Sequence, residues 1–72
     1  MTYYVSEVAR LHSFAKAYQI TAKSRTIAKR KATRYRTFLG TILYLGRTVD
    51  SNGFIIEPIA IKKGNRWIDL DL

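Results

Sequence analysis

The chain has 72 residues, with 13 Lys and Arg against 5 Asp and Glu for a net charge of +8, and sits near the lower size limit for folding on its own core. It has no cysteine, which excludes disulfides and thiolate metal sites, and no apolar run approaches the ~18 residues of a membrane span. Residues 1–72 are expected to form a single domain, with little room for a buried active-site cleft.

In chain order, "TYYVSEVARL" is rich in Tyr and Val and reads as a first strand; nothing in it has the charged start and apolar block of a signal peptide. "LHSFAKA" is a polar connection. "YQITAKS" puts Tyr18, Ile20 and Ala22 on one face and Gln19, Thr21 and Lys23 on the other, as a strand with one wet face should. Ser24 or Thr26 then caps a helix that is expected to run to about Phe38 and to stop at Gly40. "TILYLGRTV" is a third strand and "DSNG" a turn with the Asx chemistry of a hairpin. "FIIEPIAI" is a fourth strand that Pro58 must leave bulged or at an edge. "KKGN" is a tight turn before a last strand, "RWIDLDL", with Ile68, Leu70 and Leu72 on one face and Trp67, Asp69 and Asp71 on the other. The order ββαβββ predicts an α+β fold: a small two-layer domain, an antiparallel sheet of about five strands with one helix packed on one face.

On that helix Ile27, Ala28, Ala32, Tyr35, Phe38 and Leu39 share an arc of about 140° that should face the sheet. Phe38, Tyr35, Ile27 and Ala32 are expected to pack through Ile42, Ile20 and Ile68. Arg25, Lys29, Arg30, Arg34 and Arg36 occupy the rest of the circumference. Lys31 falls inside the apolar arc, so either it snorkels past the core edge or the helix winds differently. Between Glu7 and Asp50 there are ten Lys and Arg and no acid. A face that is merely solvated usually mixes signs at i,i+4; this one has no acid along it, so it reads as a surface for something negative: nucleic acid, an acidic protein groove or an anionic membrane.

Catalytic chemistry is missing. The only histidine, His12, lies in a connection and reads as a polar surface residue. The five acids sit on different strands and turns, and Asp69 and Asp71 beside Trp67 read as packing and charge relief. "GRTVDSNG" and "KKGNR" lack the spacing and following helix of a phosphate loop. An enzyme is not expected, and no cofactor or metal is. Tyr3, Tyr4, Tyr18, Tyr35, Tyr44 and Trp67 could stack on bases, but a domain this small needs them for its core and rim.

"SRTIAKRKATRYRTFLGTI" and "KKGNRWIDLDL" together resemble the ninth family of type I-F anti-CRISPR proteins, small phage-encoded inhibitors of the Csy surveillance complex. The positions that carry the likeness are Ser24, Ala28-Lys29-Arg30, Ala32, Phe38, Gly40-Thr41, Gly64, Arg66-Trp67 and Asp69, with Tyr4 and Glu7-Val8 at the start. The resemblance implies a protein that acts in the cytoplasm of an infected bacterial host. It implies docking on the backbone subunits of the crRNA-guided complex, along the guide RNA, and competition with target DNA hybridisation. It further implies that the blocked complex holds duplex DNA without regard to sequence. The partner contacts it implies fall on Lys29, Arg30 and Arg34, and the reading of the helix face adds Arg36. A duplex-DNA contact would fall on Lys62 and Arg66, which flank the last turn and should both be exposed. Lys31 and Arg36 add charge where the family need not have it, and the hairpin "VDSNGFIIEPIA" is longer. The protein is expected to be monomeric and not to act at a membrane. The competing reading is a small basic phage nucleic-acid-binding module held by phosphate contacts; with one helix and no second to brace it, major-groove reading is not expected.

Overall fold

The computed structural model describes residues 1–71; Leu72, assigned above to the last strand, lies outside the described residues. Five strands form one antiparallel sheet: β1 (Thr2–Val8), β2 (Tyr18–Thr21), β3 (Ile42–Gly46), β4 (Pro58–Lys63) and β5 (Arg66–Asp69), in the spatial order β2-β1-β3-β4-β5. The single helix, α1 (Arg25–Thr33), covers one face. The α+β architecture expected from the sequence is the one observed.

The core lies between α1 and the row Tyr3, Val5, Ile20, Leu43, Leu45 and Ala60. Ala28 and Ala32 are fully buried, and their small side chains let the helix backbone sit close to the sheet. Ile27, Ile59 and Trp67 close the margins. This differs from the expected packing. Leu43 and Leu45 point under the helix, so Ile42 points to the opposite face, and Ile68, paired across the ladder with Ile61, is half exposed there. In "ILYLG" both faces are apolar, so alternation did not say which side is in, and a one-residue error flips every side chain.

The helix is also shorter than expected. Ser24 caps it, its hydroxyl accepting from the Ile27 amide. At the other end the Arg34, Tyr35 and Arg36 amides bond to carbonyls three residues back, and the Thr33 hydroxyl donates to the Lys29 carbonyl. The amides of Thr37 and Phe38 then leave the helical pattern and donate instead to the carboxylate of Glu7 on β1. The chain turns at Gly40, φ +85°, before β3. Tyr35 and Phe38, expected in the core, are therefore on the surface, with Phe38 67% exposed.

The second face of the sheet is partly covered by connections. The Ala17 amide donates to the Gly53 carbonyl, the His12 amide to the Tyr44 hydroxyl, and Phe14 lies against Phe54 with ring centroids 5.9 Å apart. This cover buries Ser6 and Val8, so β1 is enclosed on both sides. The "DSNG" turn forms as expected, with Asp50 Oδ1 accepting the Asn52 and Phe54 amides. The bulge required by Pro58 is present: Leu45 faces Ala60 while Gly46 faces Pro58, leaving Ile59 as the additional residue. Phe54–Glu57 precede β4 rather than belonging to it, joined to the preceding segment by a Val49–Ile55 bridge.

Candidate partner-binding face

The five basic residues that were read as one outward face, and Lys31 beside them, separate into distinct environments. Lys29 reaches back over the sheet edge, its Nζ 2.8 Å from Asp69 Oδ1. Arg25 makes a two-pronged contact with Asp71, 2.8 and 2.7 Å, and a longer one with Asp69, 3.4 Å. These pairs tie the first turns of α1 to the end of β5 and the residues just after it. They correct the expectation that this face has no acid to pair with, because the acids arrive from 40 residues further along the chain. They also realise the charge relief expected of Asp69 and Asp71. The hydrogen bond from Lys29 holds the Asp69 carboxyl below its ordinary range against the opposing effect of desolvation, and Arg25 does the same for Asp71. The Arg25 guanidinium is in turn held above its usual range, first by Asp71.

Lys31 snorkels, as one of the two expected alternatives: its Nζ donates to the Thr21 carbonyl of β2 at 2.7 Å. Arg36 is not on the helix. It folds under the loop, donating to the Thr41 carbonyl at 2.9 Å and to the Gly64 carbonyl at 3.3 Å, with its Nε buried and unpaired. Arg30 and Arg34 remain. They lie one turn apart, both are exposed, and among the described residues neither makes an ion pair or a side-chain hydrogen bond. Beside Arg34, Tyr35 stacks on Tyr18 of the edge strand with centroids 5.5 Å apart, and a shallow groove lined by Gln19, Thr21, Lys31, Arg34 and Tyr35 runs between α1 and β2.

The last hairpin also differs from expectation. Lys62 is not exposed: it lies on the helix side of the sheet, 8% exposed, with its ammonium 5.8 Å from the centroid of Trp67. Arg66 is exposed on the opposite face, opposite Lys63 in the ladder. The two residues assigned to one contact thus point to opposite sides, because the register pairs Lys62 with Trp67 and Lys63 with Arg66.

Of the five acids, four are engaged locally: Glu7 on loop amides, Asp50 on turn amides, and Asp69 and Asp71 on Lys29 and Arg25. Among the described residues no group of three His, Asp or Glu is placed to hold a metal, and no helix is long and apolar enough to cross a membrane.

No protein-family profile matches the chain, and no curated protein does. A solved structure does: AcrIF9, 33% identical, superposes with a TM-score of 0.78 over all of this chain and 88% of that one. Identity at this level over the whole length of a shared fold decides the matter. The chain belongs to the AcrIF9 family. It is an AcrIF9-like anti-CRISPR protein of the type I-F class. Membership covers both the helix and the last hairpin, so the separation of cations described above concerns the elements of an AcrIF9-like fold.

Proposed function

We propose that this AcrIF9-like protein inhibits type I-F interference by docking as a monomer, in the host cytoplasm, on the backbone subunits of the crRNA-guided surveillance complex, where it blocks target DNA hybridisation. The docking face is centred on Arg30 and Arg34, with Lys29 and Arg36 at its margins. The observation that carries this reading is the pairing pattern of α1. Lys29, Arg25, Lys31 and Arg36 already have partners within the chain, while Arg30 and Arg34 stand exposed and unpaired on adjacent turns. Two guanidinium groups at that spacing suit carboxylates or phosphates presented by one groove. Lys29 keeps a share of its charge outward while Asp69 fixes its position, and Arg36 shapes the loop that follows.

Retention of duplex DNA by the blocked complex would use Arg66 together with Lys63, on the face away from α1, with Lys62 supporting the hairpin through Trp67. The test is co-purification of the tagged protein with a type I-F complex and, separately, with bare duplex DNA at moderate salt. Stable retention of the complex with weak retention of DNA supports docking. The reverse supports a nucleic-acid-binding module whose affinity falls steeply with salt.

A further inference from the structure

The segment after α1 is short and lacks regular structure, yet it is tightly held. Glu7 sits beneath it on β1. Its carboxylate accepts from the Thr37 amide at 2.9 and 3.0 Å, from the Phe38 amide at 3.0 Å and from the Thr41 hydroxyl at 2.5 Å. The same hydroxyl lies 2.8 Å from the Phe38 carbonyl, and Arg36 holds the Thr41 carbonyl from the other side. Burial works to raise the Glu7 pKa, but the bonds from Thr41, Phe38 and Thr37 outweigh it and hold it at about 2, so the carboxylate is charged and fully engaged at neutral pH.

What this arrangement presents outward is apolar. Phe38 is 67% exposed and Leu39 94%, side by side. A loop with no role beyond connecting α1 to β3 does not need a carboxylate from β1 to fix the backbone beneath two large apolar side chains that stand in water. Fixing them in advance reduces the ordering cost of burying them against a partner. We propose that this loop is a pre-organised anchor: Phe38 and Leu39 enter an apolar pocket on a protein subunit of the type I-F complex, while Arg30 and Arg34 meet acidic groups at its rim, and Glu7 is the positioning residue that sets the loop. The proposal rests on the docking reading above. The partner here is protein rather than nucleic acid. A base can stack on Phe38, but neither a base nor a phosphate offers a pocket for Leu39, and the cations that end α1 complement a carboxylate rim around an apolar centre.

The experiment measures association and dissociation rates of the protein on a purified type I-F surveillance complex, with bare duplex DNA as the parallel arm. The wild type tests the docking reading itself: if it does not bind the complex, that reading and this one fall together. Given wild-type binding, Phe38→Ala with Leu39→Ala should leave the melting temperature within a few degrees, because both side chains are exposed. It should raise the dissociation rate by about tenfold or more, as loss of an apolar anchor does, and leave the association rate nearly unchanged. Glu7→Gln should raise the dissociation rate as well. It should also speed hydrogen exchange at the Thr37 and Phe38 amides beyond the change at Leu43 and Leu45, which report global stability. An unchanged dissociation rate in the double variant would overturn the anchor with docking intact. So would loss of bare-DNA binding in place of complex binding, or unfolding of the double variant. Unaltered exchange at Thr37 and Phe38 in Glu7→Gln would overturn the positioning role.

Discussion

Replacing Glu7 with Gln keeps the shape of the side chain and removes its charge. In the folded protein the carboxyl titrates at about 2, against 4.5 for the free group. The folded value is the lower one, so the charged form favours folding: the contribution is fully present above about pH 4.5 and is lost as pH falls towards 2. A difference of about 2.5 units sets a ceiling of about 3.4 kcal/mol at neutral pH, which solvent screening at a partly exposed carboxylate lowers; even so it is a large share of the stability of a domain this small. Urea unfolding followed by Trp67 fluorescence, repeated from pH 7 down to pH 2, gives the quantity directly. The gap between wild type and Glu7→Gln should be widest at pH 5–7, on the order of 2–3 kcal/mol, and should close as pH approaches 2, where the native carboxyl itself gains a proton. The other acids titrate in both proteins and cancel in the difference. A gap that stays constant from pH 7 to pH 2 would refute the argument, because Glu7 would then stabilise the loop by shape alone.

Gly46→Ala should destabilise the fold by about 1–3 kcal/mol, since an added Cβ at this position would collide with Cγ2 of Ile55, in the segment that precedes β4; a variant that melts like wild type would mean the Ile55 segment yields freely. In the last hairpin, Arg66→Ala should reduce duplex-DNA retention by the inhibited complex and leave melting unchanged, whereas Lys62→Ala should lower the melting temperature through lost packing on Trp67. Equal loss of DNA retention in both variants, with both folds intact, would contradict the assignment of the two side chains to opposite faces.

Much of the fold was legible in the sequence because its signals are local. Ser24 caps the helix, Asp50 and Gly53 shape a turn, and Pro58 forces a bulge, each through its own or its neighbours' backbone. What stayed hidden depends on contacts distant in sequence. The end of α1 is set by Glu7, 30 residues earlier, which draws off the Thr37 and Phe38 amides; helical periodicity alone carried the helix on to Phe38. The apparent absence of acids on the basic face was true of the helix but not of the surface, since Asp69 comes from the last strand and Asp71 from the residues just after it. The exposure of Lys62 could not be read from the turn "KKGN" either, because it turns on which of two adjacent lysines pairs with Trp67. Helical spacing alone sets Arg30 and Arg34 on one line, one turn apart, and Lys29 and Arg36 on a second; that Lys29 and Arg36 are held by Asp69 and by the Thr41 and Gly64 carbonyls was not legible along the chain.

The measurement that bears most directly on the docking reading is target-DNA cleavage by a type I-F system in the presence of Arg30→Glu with Arg34→Glu, with circular dichroism as the control on folding. Both side chains are exposed and outside the core, so helix content and melting should match wild type. Reversing one side of a desolvated interfacial charge pair costs at least the ~2–5 kcal/mol of removing it, and here two are reversed together. Protection of the target should therefore be lost at doses where wild type protects fully. Full protection at the wild-type dose by the folded double variant would contradict the account, and the inhibitory surface would then have to lie away from the outer face of α1.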